Sequence, residues 1–130
     1  MAGLTLDTGA LIALERTRKR IREIVAAARA GKDPITVPAV AVAEWWRGPD
    51  KSRPLIRAMF DVEPLDEDLA KSAGQALASL RRGRDVDAGV TIDAIVMASA
   101  ARRGDVVFTS DVDDLERFSR YFPSVRILSV

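Results

Sequence analysis

The chain has no cysteine and no histidine among its 130 residues. Without cysteine it can form no disulfide, and a thiol-free chain suits a reducing compartment, so we expect a cytoplasmic protein. Without imidazole it cannot use a Ser-His-Asp triad, a Cys-His pair or the histidine pair of metal-free ribonucleases. The usual zinc ligands are missing as well. Any polar chemistry must therefore use carboxylates, hydroxyls, lysine or arginine, or a hard metal ion held by oxygen.

Long hydrophobic runs are also missing. No apolar stretch approaches the roughly 20 residues that a membrane-spanning helix needs. The first residues reach Asp7 without a basic leader and an apolar segment, so we expect neither a signal peptide nor a membrane association. A composition of 48% hydrophobic and 30% charged residues is typical of a globular protein. We therefore expect a single domain spanning residues 1–130.

Charge is distributed unevenly along the chain, although the formal net charge is only +1. Residues 1–57 contain 11 Lys and Arg against 6 Asp and Glu, a net of +5. Residues 58–130 contain 9 against 13, a net of −4. Folding can thus place an acidic pocket inside a basic rim, which suits an enzyme that acts on a polyanion. Ordinary surface charge explains the same numbers, so this pattern alone does not decide the function.

Short apolar runs alternate with amphipathic segments along the whole chain. The runs predict strands at residues 4–6, 35–37, 62–65, 106–108 and 125–130. The segments between and beside them predict helices at residues 8–14, 17–30, 38–47, 55–60, 67–82, 91–103 and 115–121. This alternation predicts an α/β three-layer sandwich, in which a mainly parallel sheet has helices on both faces. In such folds, ligands bind beyond the carboxyl ends of the strands, where the strand order reverses.

Two aspartates follow predicted strands directly. Asp7 comes after the first strand, and Asp111 comes shortly after the strand at residues 106–108. Each of them alone is explained equally well as the N-cap of the next helix. Their corresponding positions at strand ends favour a shared site.

Two further acids interrupt apolar segments. Glu44 stands between a run of alanine and valine and a tryptophan pair, so it must be exposed, paired (Arg47 is three residues away) or bound to a cation. Asp93 lies in the strongly apolar segment 91–101, in the first turn of the predicted helix. The helix dipole there favours a negative charge by about 0.3–1 kcal/mol, which is a weak reason to bury a carboxylate. A cation in a cleft is a better reason.

A divalent metal would give these acids a common purpose. Carboxylates gathered in one place repel one another and raise one another's pKa, and a bound cation reverses that effect. Mg²⁺ and Mn²⁺ prefer carboxylate oxygens and water. A cluster of Asp7, Glu44, Asp93 and Asp111 would thus form a metal site suited to phosphodiester hydrolysis. The strand ends bring Asp7 and Asp111 together, whereas the other two depend on the fold.

These acids belong to short motifs that occur in a fixed order. The motifs are Leu6-Asp7-Thr8 with Ala10-Leu11-Ile12-Ala13, Ala43-Glu44 followed by Arg47-Gly48, Asp93-Ala94-Ile95 with Ala98, and Thr109-Ser110-Asp111 with Asp114-Leu115. In this order and spacing the chain resembles a PIN domain of the VapC toxin family over essentially its whole length. Each motif alone is weak, and the ordered set is specific.

The resemblance implies a parallel sheet of order 3-2-1-4-5 and a toxin of a type II toxin–antitoxin system. Its implied activity is Mg²⁺- or Mn²⁺-dependent endoribonuclease cleavage of structured RNA, such as transfer or ribosomal RNA. A cognate VapB-type antitoxin would inhibit it in a hetero-oligomer, and homodimers are common in the family. By position, Asp7 and Asp93 correspond to the main metal ligands. Glu44 and Asp111 would complete the catalytic site.

Several alternatives stay open at this stage. Gly9 stands where the family often has a small hydroxyl residue, and Asp113 or Asp114 could replace Asp111 as the fourth acid. A non-catalytic RNA- or protein-binding module of the same fold is the main alternative function. A dehalogenase-type phosphatase is disfavoured because Gly9 stands where it needs a second aspartate, and a receiver domain because the last lysine is Lys71.

Clustered arginines allow two interpretations. They could contact RNA phosphates, or they could simply form a solvated surface. The clusters are Arg16, Arg18, Lys19, Arg20 and Arg22, and further along the chain Arg81, Arg82 and Arg84.

Overall fold

The computed structural model describes residues 3–80 and 86–130. Arg81, Arg82 and Arg84 lie outside the described residues. The strands are β1 (Leu4–Leu6), β2 (Ile35–Pro38), β3 (Asp61–Glu63), β4 (Val106–Thr109) and β5 (Arg126–Ser129). The helices are α1 (Thr8–Glu15), α2 (Lys19–Ala30), α3 (Ala39–Trp45), α4 (Arg53–Arg57), α5 (Glu67–Ala78), α6 (Ala88–Arg103) and α7 (Val112–Glu116).

All five strands form one parallel sheet in the order β3-β2-β1-β4-β5, which confirms the expected fold class. The central strand β1 pairs with β4 in the register that sets Leu6 beside Phe108. Asp7 and Thr109 therefore leave the sheet side by side. The strand order reverses between β1 and β4. The crevice where α/β sheets bind ligands therefore lies beyond the carboxyl ends of these two strands.

Apolar side chains cover the sheet on both faces and form two cores. One core packs α1 to α4 against the sheet and includes Leu6, Leu11 and Trp45. The other packs α5, α6 and α7 against the opposite face and includes Val107, Met97 and Phe118. Neighbouring residues of the sheet thus face different cores, as the alternation of side chains along a strand requires. The result is the three-layer sandwich that the sequence predicts.

Several element boundaries differ from those predicted. Helix α6 begins at Ala88 rather than at residue 91, because the Asp87 carboxylate accepts a hydrogen bond from the Val90 amide at 2.9 Å and caps the helix. Asp93 consequently lies in the second turn of α6. The prediction that it lies in the first turn, where the helix dipole would stabilise its charge, was therefore wrong. Helix α7 begins at Val112 rather than at residue 115, because Asp111 caps it. Within the described residues, no helix combines the length and the apolar character needed to cross a membrane.

A buried carboxylate joins the amino-terminal ends of β1 and β4. Asp105 is only 4% exposed. It accepts hydrogen bonds from the Gly3 amide at 3.0 Å, the Thr5 hydroxyl at 2.8 Å and Arg103 Nε at 2.9 Å. Buried charge is tolerated when it is paired and hydrogen-bonded in this way. These contacts therefore hold β1 and β4 together at the ends of the strands opposite Asp7.

Replacing Asp105 by alanine is expected to lower the free energy of unfolding by about 2–4 kcal/mol, because Thr5 and Arg103 lose their buried acceptor. Urea denaturation of the wild type and the variant measures this loss. The Asp61→Ala variant removes an exposed carboxylate from β3 and should change stability by about 0.5 kcal/mol or less. Equal stabilities of the two variants would contradict the structural role of Asp105.

Candidate active site

Asp7 is the buried carboxylate at the carboxyl end of β1, with 9% of its surface exposed. One carboxylate oxygen accepts a hydrogen bond from the Ala10 amide at 2.9 Å and so caps α1, and the other accepts one from the Thr109 hydroxyl. Burial raises the pKa of Asp7, while these two hydrogen bonds act in the opposite direction. Asp7 is therefore both a helix cap and an acid held in one fixed orientation.

Glu44 reaches the same region from α3. Its carboxylate accepts a hydrogen bond from the Thr8 hydroxyl at 2.6 Å, and its charge helps to raise the pKa of both Asp7 and Asp93. Within residues 3–80 and 86–130, Glu44 forms no salt bridge, with Arg47 or with any other cation. The internal ion pair considered from the sequence is thus not formed.

Asp93 extends from the second turn of α6, and its side chain is 23% exposed. Burial is the largest cause that raises its pKa to about 7, and the charge of Asp114 is the next. The charges of Asp7 and Glu44 add smaller contributions in the same direction. Acids from β1, α3 and α6 therefore share one electrostatic environment.

Asp111 and Asp114 are both exposed at the start of α7 and make different contacts. Asp111 is exposed, accepts from the Asp114 amide at 3.4 Å as the helix cap, and donates its own amide to the Thr109 hydroxyl at 3.0 Å. Asp114 acts on Asp93 directly through its charge, and a hydrogen bond with Asp111 raises the pKa of Asp114. Asp113 is exposed. We call Asp7, Glu44, Asp93 and Asp114 the acidic cluster.

Arg117 is a member of the site that sequence reasoning missed. Its Nη2 lies 3.1 Å from Asp93 Oδ2 and 3.8 Å from Asp114 Oδ1, while its Nε donates to the Asp114 carbonyl at 2.8 Å. Among the described residues, it is the only cation that forms a salt bridge with the acidic cluster. The spacing of three residues between Asp114 and Arg117 would have predicted their ion pair. It would not have predicted the contact of Arg117 with Asp93 on α6.

The donor chemistry of the acidic cluster fits a hard divalent cation. In the part of the chain that the structure describes, no group of three or more acids is arranged so that it could hold a metal ion. The donors are nonetheless all carboxylate oxygens. Burial, followed by neighbouring negative charge, raises the pKa of Asp7 and Asp93, and a hydrogen bond with Asp111 raises that of Asp114. Mg²⁺ and Mn²⁺ take such oxygens and supply positive charge.

Gly9 and Ser110 are in close contact beside the acidic cluster. A Cβ atom on residue 9 would lie 2.0 Å from the Ser110 hydroxyl oxygen and 3.0 Å from its Cβ. The Ser110 side chain thus fills the space that a side chain at position 9 would enter. A side chain at position 9 would therefore force the Ser110 hydroxyl to rotate away and would press on the Ser110 Cβ.

Known proteins support the assignment of the fold. The model of the PIN domain family matches residues 4–121. The fold is similar to DNA-bound VapBC from Salmonella typhimurium, with a TM-score of 0.73, 23% identity, and coverage of 99% of this chain and 98% of that one. It is also similar to promoter-DNA-bound VapBC2 from Rickettsia felis (TM-score 0.76, 11% identity, 98% of both chains) and to a toxin–antitoxin complex from Klebsiella pneumoniae (0.70, 18%, 95% of both). Comparison with curated protein sequences gave no significant match.

The contact between Gly9 and Ser110 predicts a coupled pair of substitutions. Gly9→Ala alone should destabilise the protein by about 1–3 kcal/mol, because the new methyl group collides with Ser110. In a Ser110→Gly background, Gly9→Ala should lower the free energy of unfolding by less, and the difference should be about 1 kcal/mol or more. Denaturation of both single variants and the double variant measures this coupling. Simple additivity would contradict the described packing.

The raised pKa of Asp93 predicts a pH-dependent stability. The folded state holds the Asp93 proton up to a pKa of about 7, against an ordinary value of 3.8, so this carboxyl group stabilises the fold at low pH. That contribution is lost as the pH rises from about 4 through about 7. Asp93→Asn cannot ionise and should therefore melt above the wild type at about pH 8, with a smaller difference near pH 5.

Thermal unfolding across this pH range tests the effect of Asp93. Asp113→Asn is the matched control, because it removes one acidic charge from an exposed position on α7 and should show no comparable trend. A lower melting temperature of Asp93→Asn than of the wild type at about pH 8 would mean that Asp93 is a structural residue.

Proposed function

The chain belongs to the PIN-domain family, and we propose that it is the toxin of a type II toxin–antitoxin system, acting as a Mg²⁺-dependent endoribonuclease. The observation that carries the proposal is the acidic cluster at the crevice between β1 and β4. Carboxylates from separate parts of the chain lie near that crevice. Burial first, and neighbouring negative charge second, raises the pKa of Asp7 and Asp93, which makes their ionised forms costly. A purely structural role does not explain that cost, whereas a bound cation does.

Each acid has a distinct role in the proposed site. Asp7 and Asp93 would be the main metal ligands, and Glu44 and Asp114 would complete the donor set. Asp111 supports the fourth position by capping the helix that carries Asp114, since the charge that acts most strongly on Asp93 belongs to Asp114. Mn²⁺ satisfies the same donors as Mg²⁺.

Hydroxyl groups and an arginine prepare the site for a phosphodiester. When bound, the cation would neutralise phosphate charge and lower the pKa of a water molecule for attack on phosphorus. The Thr109 and Thr8 hydroxyls fix the orientation of Asp7 and Glu44 by donating hydrogen bonds to them. Arg117, which lies beside Asp93 and Asp114, carries a guanidinium group that suits phosphate oxygens.

A VapB-type antitoxin is the proposed inhibitory partner. The similar solved structures are of toxin–antitoxin complexes. This chain has a hollow of about 680 Å³ between α1, α2 and the residues after α4. Its lining includes the apolar Leu14, Val25 and Met59 and the exposed Arg22 and Arg29. We call it the apolar groove. An antitoxin segment with an apolar face and acidic flanks would fit it. Homodimerisation, and assembly into a hetero-oligomer with this partner, are parts of the same proposal.

Loss of a main ligand is expected to abolish RNA cleavage. Asp7→Asn and Asp93→Asn should each reduce the rate by about 10²-fold or more and relieve growth inhibition on expression, because the donor set becomes incomplete. EDTA should stop cleavage by the wild type, and Mg²⁺ or Mn²⁺ should restore it. Sequencing RNA ends after brief induction, wild type against Asp93→Asn, measures the activity and identifies the target among transfer, ribosomal and other RNAs.

Asp113→Asn is the control and should cleave normally, since Asp113 is exposed and lies outside the acidic cluster. Unchanged cleavage by Asp7→Asn or Asp93→Asn would refute the assigned ligands. Binding of RNA by the wild type without any cleavage in Mg²⁺ would favour the non-catalytic binding module.

A further inference from the structure

A second hollow lies on the other side of the α1–α2 turn, next to the acidic cluster. It has a volume of about 660 Å³, within the range of about 300–1,000 Å³ that ligand sites occupy. Its lining includes Gly9, Ser110, Arg16, Arg18, Lys19 and Arg20. We call it the basic cleft, and we propose that it binds the sugar–phosphate backbone of RNA on one side of the cleaved phosphate.

The basic cleft and the acidic cluster share a wall. Gly9 lies two residues after Asp7, and Ser110 directly follows Thr109, whose hydroxyl donates to Asp7. Ser110 and Gly9 also pack against each other, as the space around Gly9 shows. The basic cleft therefore begins within two residues of Asp7 and directly after Thr109.

A tight turn directs cationic residues to this cleft. Helix α1 ends at Glu15 and Arg16 is its C-cap, Thr17 adopts a left-handed conformation with φ of 53°, and α2 begins at Lys19. Such a conformation is unfavourable for a β-branched residue. Backbone hydrogen bonds at 3.0 Å, from Arg16 to Ile12 and from Arg18 to Ala13, hold the turn. The turn thus keeps Arg16 and Arg18 at the cleft.

The positive charges in the cleft are largely uncompensated. Arg16 and Arg18 are exposed, and within the described residues their side chains form neither a hydrogen bond nor a salt bridge. Lys19 approaches Glu23 only at 3.8 Å, with both side chains highly exposed, so this pair contributes little. Arg20 donates to the Ser129 carbonyl at 2.8 Å, which leaves its charge unpaired. Phosphates of a polyanion would relieve this repulsion.

Chemistry distinguishes this cleft from the apolar groove. Both hollows have apolar residues and cations in their lining, but the groove is mainly apolar, with Leu14, Val25 and Met59. The cleft adds four cations and the Ser110 hydroxyl to a smaller apolar wall of Ile12, Ala13 and Val130. The inference rests on the proposed ribonuclease function, because it is the adjacent acidic cluster that identifies the polyanion as a substrate.

The test measures RNA binding separately from cleavage. A fluorescein-labelled single-stranded RNA of about 12 nucleotides is titrated with the full chain in EDTA, and fluorescence anisotropy is followed over a salt series. The Arg16→Ala/Arg18→Ala variant should bind about 10-fold more weakly. The plot of the logarithm of the association constant against the logarithm of the salt concentration should become less steep by about 1.4, as expected for two lost phosphate contacts on a single strand. In Mg²⁺, the same variant should raise KM for cleavage with kcat unchanged.

The matched control is Arg120→Ala/Arg126→Ala, which removes the same charge from two exposed positions that line neither the basic cleft nor the apolar groove. It should keep the RNA affinity within about twofold and preserve the salt slope. An equal loss in both double variants would overturn the proposal, since it would mean that overall charge alone attracts RNA. Normal RNA binding by Arg16→Ala/Arg18→Ala would also overturn it, and failure of that variant alone to co-purify with the antitoxin would assign the cleft to the protein partner.

The outcomes separate this inference from the proposed function. If RNA binding depends on Arg16 and Arg18 while the wild type cleaves no RNA in Mg²⁺, the cleft is supported and the ribonuclease proposal fails. If the wild type cleaves RNA and the double variant cleaves with an unchanged KM, the ribonuclease proposal is supported and the cleft is refuted.

Discussion

The burial of carboxylates near the carboxyl end of β1, with the repulsion between them, is the constraint to which the rest of the site responds. Burial first, and then neighbouring charges, raises the pKa of Asp93, and three sets of contacts limit the cost of the acids. The Thr109 hydroxyl and the Ala10 amide donate to Asp7, Thr8 donates to Glu44, and Arg117 contacts Asp93. These contacts stabilise the cluster only in part. The site therefore retains an unmet demand for positive charge, which is the property that a cation-dependent enzyme needs.

The opposite edge of the sheet shows how this fold treats a carboxylate that only holds structure. Asp105 is more deeply buried than Asp93, yet three donors, including Arg103, satisfy it. Asp105 joins the same two strands, β1 and β4, whose other ends carry the acidic cluster. At one end of the strand pair the buried carboxylate is thus fully hydrogen-bonded and paired with a cation. The other end is deficient in positive charge, and this contrast separates scaffold from site within a few residues of the same strands.

The sequence was sufficient to predict the sheet and the acids at the ends of its strands, because short hydrophobic runs and the polar residues that follow them depend on local structure. It placed Asp7 at a strand end and Glu44 in a helix, but it began α6 too late, since Ala88, Gly89 and Val90 show little helical periodicity before the cap at Asp87 is known. Arg117 could not be assigned to the site, because its contact with Asp93 joins α6 to the residue after α7, 24 positions apart. Contacts of that range depend on packing that no local pattern encodes.

The position of α2 links the two proposed surfaces of the molecule. The apolar groove and the basic cleft lie on different sides of its first turn, and Lys19 lines both of them. An acidic antitoxin segment in the groove would engage the same cation that RNA phosphates would use in the cleft. Occupancy of one surface would then weaken binding at the other, and thermodynamic linkage makes that effect reciprocal. An antitoxin would in this way lower RNA affinity without entering the acidic cluster, by the share of that affinity that Lys19 contributes.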